Sequence, residues 1–107
     1  MKDKIMGFVK SNGNSATFAE LLNKVPGFAG YFGIKFDEYN ILLWTGMSEE
    51  AASSVNELIG ENKLYIHPSN LLSYMYYGHV PDLPIAEHPK RYDTMHWFPA
   101  ILRTDPI

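Results

Sequence analysis

Cysteine is missing from this 107-residue chain, which removes disulfides, thiolate metal sites and thiol nucleophiles at once. No apolar run approaches the roughly 20 residues that a membrane-spanning helix needs. The opening MKDKIMGFVK is broken up by Asp3 and by Lys2, Lys4 and Lys10, so it reads as neither a signal peptide nor an anchor. Basic residues are scarce: 9 Lys and Arg stand against 12 Asp and Glu, a net charge of −3. Strong non-specific nucleic-acid binding relies on cations that neutralise phosphates, and this balance argues against it. The expectation is one domain over residues 1–107 in a reducing, cytoplasmic setting.

Apolar and aromatic residues are plentiful. The apolar share of 46% is enough for a packed core. Ile5, Phe8 and Val9, with Met1, fall on one stripe of a helix over residues 2–10, and Asn12-Gly13 stops it. Ser15–Thr17 reads as a minimal strand. Thr17 and Glu20 form a T-x-x-E capping box that opens a second helix, which Pro26-Gly27 ends. Residues 28–39, rich in Gly and aromatics, read as a loop or an irregular strand. NILLW (40–44) reads as a buried strand that runs into a Gly46 turn. A third helix follows over about 49–60, with Ser48 as N-cap and Gly60 just past its end. It buries Ala51, Ala52, Val55, Leu58 and Ile59, and turns Glu49, Glu50 and Glu57 outward. KLYIHP alternates like a strand. PSNLLSYMYYG reads as a short helix opened by Ser69 or Asn70 and closed by Gly78, in preference to a strand in which Tyr74 and Tyr76 would oppose Met75 and Tyr77. WFPAILR reads as a last strand, with Pro99 implying an edge or a bulge.

Helix, capped helix, strand, helix and two strands is the order of a winged helix-turn-helix with a reduced first strand. The expected class is therefore α+β and winged helix-turn-helix-like, with three helices, a small antiparallel sheet and a long insertion in the wing at about 68–96. Trp44-Thr45-Gly46 leads into the third helix, Leu83-Pro84-Ile85 follows, and Trp97-Phe98-Pro99 comes late. On these motifs the chain resembles small winged-helix-like proteins of bacterial phages and mobile elements. The resemblance spans roughly residues 1–103 and implies a fold but no activity.

Two functions compete. Tyr74, Tyr76, Tyr77, Trp97 and Phe98 are candidate anchors of a protein interface or a homodimer, since Tyr and Trp are favoured there. Their bland alternative is a second packed cluster beneath the insertion. Lys90 and Arg91 are the only adjacent basic pair. With Tyr92 stacking on a base, and with Lys2, Lys4 and Lys10 from the first helix, they form the candidate nucleic-acid contact. Their bland alternative is a solvated loop. The glutamates of the third helix disfavour orthodox major-groove reading, because each like-charge approach near 4 Å costs about 1–4 kcal/mol, the same scale as a productive base contact. His67, His79, His88 and His96, with Asp82 and Glu87, match no compact ligand spacing, so no metal or other cofactor is expected. No nucleophile elbow, phosphate loop or metal-protease motif occurs, so no enzyme is expected. The reading is a protein-interaction or regulatory adaptor, with nucleic-acid binding through the wing as the alternative.

Overall fold

Side-chain caps set the starts of two helices. In the computed structural model, which describes residues 1–78 and 80–106, the Thr17 hydroxyl accepts from Glu20 N and the Glu20 carboxylate accepts from Thr17 N, at 3.1 and 3.0 Å. This reciprocal box opens α2 (Phe18–Lys24). Ser48 caps α3 (Glu49–Gly60) by accepting from Ala51 N at 3.0 Å. Before them, α1 (Lys2–Ser11) buries Ile5 and Val9 and leads to β1 (Ser15–Thr17). The helix of 49–60 extends through Gly60, and the left-handed residue that turns the chain is Asn62 (φ 59°). Asparagine tolerates that conformation because its short side chain bonds locally.

Residues 28–39 are mostly strand. β2 (Ala29–Phe36) and β3 (Ile41–Met47) form an antiparallel hairpin between α2 and α3. β3 runs on through the expected Gly46 turn, because Gly46 takes φ +79° within the strand. β2 breaks register three times against β3, and such bulges erase the alternation that a sequence pattern relies on. Two close approaches fix its path. A Cβ on Gly30 would meet Ser48 Cα at 2.5 Å, and one on Gly33 would meet the Trp44 carbonyl oxygen at 2.8 Å. The hairpin base is stitched shut where Ser48 N donates to Phe28 O at 2.7 Å and the Ser48 hydroxyl donates to Gly27 O at 2.7 Å.

After α3 come β4 (Tyr65–Pro68), the single-turn α4 (Leu72–Met75), β5 (His96–Trp97) and β6 (Ala100–Arg103). The described residues are thus mixed α+β with four helices, the three expected ahead of the insertion and the short one expected within it, and with two three-stranded sheets where one small sheet was expected. The first sheet has the order β1-β6-β4 and is antiparallel throughout. The second has the order β2-β3-β5, with β5 parallel to β3. The expected final strand of 97–103 is split. Phe98 and Pro99 carry the chain from the second sheet into the first, so Pro99 marks a change of sheet and not an edge. Proline lacks the N–H that an unbroken ladder would require there.

One core cluster joins these elements. At its centre Trp44 stacks with Phe18 (centroids 6.0 Å apart, 13° between planes) and lies 5.0 Å from Tyr74, whose ring meets Trp97 edge-on at 5.0 Å and 86°. Such offset and edge contacts add about 0.5–1.5 kcal/mol beyond area burial. The indole N–H groups of Trp44 and Trp97 find no acceptor among the described residues; each costs about 1–3 kcal/mol, which the packing must offset. Among the described residues, no helix is long and apolar enough to cross a membrane.

Candidate interaction face

The five candidate interface residues do not share a surface. Tyr74 and Trp97 are fully buried and Phe98 nearly so, while Tyr77 is half-buried and Tyr76 is 85% exposed. For Tyr74, Trp97 and Phe98 the free-surface reading is therefore corrected. A single helical turn explains the split. Tyr74 and Tyr77 stand three residues apart, on the inward side of α4 and its continuation, and Met75 and Tyr76 fall outward. Tyr74 is acceptable inside because its hydroxyl is doubly satisfied. It accepts from Phe18 N at 3.2 Å and donates to the Ala100 carbonyl. Phe18 N is one of the amides that a helix start leaves unpaired, so the tyrosine completes the first turn of α2 and ties it to β6. Burial, the larger influence, pushes the Tyr74 hydroxyl well above the usual phenol range, while these two bonds oppose the rise.

The candidate nucleic-acid residues form two groups. Lys2 is committed to α3: its ammonium lies 3.1 Å from the Glu61 carboxylate and 3.8 Å from that of Glu57. The hydrogen bond to Glu61, ahead of the other influences, raises the Lys2 pKa. Lys4 and Lys10 are exposed on α1. Lys90 and Arg91 are exposed in the insertion, where Lys90 Nζ sits 5.3 Å from the Tyr92 ring centre. Tyr92 stacks on His96 at 4.0 Å and 20°, and its hydroxyl donates to His88 O at 2.9 Å. Its backbone is held by the turn of the hairpin: Tyr92 N donates to Tyr39 O at 3.0 Å, and Asn40 Nδ2 donates to Tyr92 O at 2.8 Å. Tyr92 is thus a strut beneath the insertion, with one ring face already covered. No hydrogen bond or ion pair joins these residues to α1 among the described residues. Glu49, Glu50 and Glu57 stay exposed on α3.

His79 lies outside the described residues. Among the described residues, no three His, Asp or Glu side chains gather in a way that could hold a metal ion.

The face that sequence reasoning missed is the hairpin. Tyr31 is fully exposed, and Phe32, Phe36 and Tyr39 are each more than two-fifths exposed. Beside them opens an apolar cleft of about 280 Å³. Ile41 and Leu43 of β3, Ile66 of β4 and Phe98 wall it, and Phe36, Tyr39 and Pro89 edge its mouth. Register explains how Phe36 joins Ile41 here: the two are directly paired across the hairpin and so point to one face. The signal that was available is the segment Gly27–Ile34, GFAGYFGI, eight residues without a charge.

Comparison with known proteins adds no relative: no family model matches the chain, and neither a curated protein nor a solved structure matches it.

Proposed function

We propose that this chain is a protein-interaction or regulatory adaptor domain of winged-helix-like build, and that its binding face is the β2–β3 hairpin with the adjoining cleft. The carrying observation is the set of exposed aromatics Tyr31, Phe32 and Phe36, on a strand at the edge of its sheet, with Tyr39 in the turn that follows. Exposed apolar side chains scattered singly need no explanation, whereas a concentrated set marks an interaction surface. The winged-helix-like reading draws support from the order α1, β1, α2 and α3 ahead of β4 and β6 of the antiparallel sheet β1-β6-β4. It also bears on mechanism. A helix-turn-helix joins its two helices by a turn of about 3–4 residues, but residues 25–48 separate α2 from α3 here. The hairpin stands where that turn would be. No reaction is assigned to the chain in this reading, and the likeness to small phage and mobile-element proteins belongs to the same proposal.

The test is site-specific photocrosslinking in the cells from which the chain derives. A photoreactive side chain at Tyr31 is expected to give a discrete protein adduct, with Asn56 on the outer side of α3 as the control position. Equal labelling from the two positions counts against the proposal.

Nucleic-acid binding through the insertion is the second reading, favoured by the absence of an ion pair at Lys90 or Arg91 among the described residues. It predicts duplex binding that weakens steeply between about 50 and 200 mM salt, with a log–log slope that flattens by about 2 when both charges are removed. The exposed carboxylates of α3 and the stacked position of Tyr92 weigh against it.

A further inference from the structure

We propose that Asn12 is a site of spontaneous deamidation that the native fold holds in check. This is independent of whatever binds the hairpin. Asn12 is the only asparagine of the chain that glycine follows. Gly13 is exposed to water and base, and it has no side chain to crowd its nitrogen. The reaction needs no enzyme, and its co-reactant is water. The Gly13 nitrogen, once base has taken its proton, bonds to Asn12 Cγ. The Cγ–Nδ2 bond breaks, and the amide leaves as ammonia with a proton from solvent. Water then opens the five-membered imide that remains. Cleavage at Cγ leaves aspartate at position 12; cleavage at the backbone carbonyl carbon leaves isoaspartate, with the chain rerouted through Cγ. One amide and one water enter, and one carboxylic acid and one ammonia result.

The fold restrains both partners in this reaction. Asn12 Nδ2 donates to Ser15 O and to Glu20 Oε2, each at 2.9 Å, so both amide hydrogens are held. As the C-cap of α1, Asn12 also donates from its backbone N to Phe8 O and Val9 O at 2.9 and 3.1 Å. Its ψ is 34°, which in an L-residue turns the next nitrogen to the side of the Cα–C bond away from Cβ. Ring closure needs the two on the same side. Cyclisation therefore waits on a local opening that breaks the side-chain bonds and turns ψ. The same bonds decide what the product does. Glu20 Oε1 accepts from Thr17 N in the capping box of α2, while its Oε2 takes the Asn12 amide. A carboxylate at position 12 has no hydrogen to give. It faces the Glu20 carboxylate and the Ser15 carbonyl, so two hydrogen bonds become a like-charge contact. Modification thus loosens the junction of α1, β1 and α2, and refolding does not reverse it.

Peptide mapping by mass spectrometry tests this, on the full chain incubated at mildly alkaline pH with and without denaturing guanidinium chloride. In denaturant, Asn12 is expected to convert faster than every other asparagine. In the folded chain its conversion should be at least about tenfold slower, a ratio equivalent to about 1.4 kcal/mol of opening. Equal rates in the two conditions overturn the restraint by the fold, and an Asn12 no faster than the other asparagines in denaturant overturns the site. The product is tested separately. Asn12→Asp should lower the folded-to-unfolded ratio by about 5–30-fold, more than Asn12→Ser, which loses the amide without adding charge. Combining it with Glu20→Gln should restore most of the loss, because glutamine can donate to the new carboxylate. An Asn12→Asp no worse than Asn12→Ser, or no rescue by Glu20→Gln, overturns the opposition of carboxylates at this junction.

Discussion

Two stretches of this chain are rich in aromatics, and they use them in opposite ways. In the hairpin, Tyr31 stands wholly in water and Phe32, Phe36 and Tyr39 partly so, on and just beyond a strand whose glycines press against Ser48 and Trp44. In the insertion and the strand that follows it, Tyr74 and Trp97 are wholly enclosed and pack on Trp44. The difference lies in what the surroundings give the side chain. Tyr74 meets an unpaired amide at the start of α2 and a carbonyl of β6, so its polar end costs little inside. Among the described residues, Tyr31 has no hydrogen-bond partner for its hydroxyl and no ring within stacking reach. The contrast teaches that a cluster of aromatics in sequence does not mark a surface. The partners available to each ring decide.

Four experiments would break or sharpen this contrast. The largest effect is expected from Tyr74→Ala, which removes a buried ring and orphans Phe18 N; it should destabilise the fold by about 3–5 kcal/mol in urea unfolding. Gly30→Ala comes next. The added carbon would strike backbone at Ser48 and Met47, which cannot swing aside as a side chain does, so a loss near the top of the range of about 1–3 kcal/mol is expected. Tyr74→Phe keeps the ring and deletes the hydroxyl, at a cost of about 1–3 kcal/mol. It should also change the pH dependence. Burial raises the Tyr74 pKa above its unfolded value of about 10. The proton is then held by the folded chain and released first by the unfolded one. The stabilisation is complete below about pH 10 and lost as pH climbs further. Unfolding measured on either side of pH 10 should show a steeper decline for the parent than for Tyr74→Phe. The smallest effect belongs to Tyr31→Ser, which should shift unfolding by no more than about 0.5 kcal/mol. A Tyr31 substitution as damaging to the isolated chain as Tyr74→Ala would erase the distinction between the two regions.

The helices were legible because their signals are local. Thr17 and Glu20 satisfy each other within one turn, Ser48 caps three residues ahead of it, and the outward set Glu49, Glu50, Ser53, Asn56 and Glu57 follows the helical period. The minimal strand at Ser15–Thr17 and the strand KLYIHP were legible for the same reason. β2 was not, because its register breaks scramble the two-residue rhythm. The division of 97–103 into two strands was hidden because each half takes a partner from a different, distant segment: β3 for one, β1 and β4 for the other. The placement of the candidate anchors failed for a related reason. Whether Tyr74 is inside depends on residues 18 and 100, and nothing near position 74 records that.

The position of β6 has a consequence for how the chain is made. It is the middle strand of its sheet, and it lies at residues 100–103. On the ribosome, β1 and β4 emerge long before the strand that must lie between them, so that sheet is assembled only once residue 103 has cleared the exit tunnel. The hairpin suffers no such delay, since its two strands are neighbours in sequence. Aromatic-rich β2 is thus presented to other proteins or to a chaperone while half of the fold is still waiting. Synthesis rate and nascent-chain protection therefore bear on the yield of this protein more than its modest length suggests.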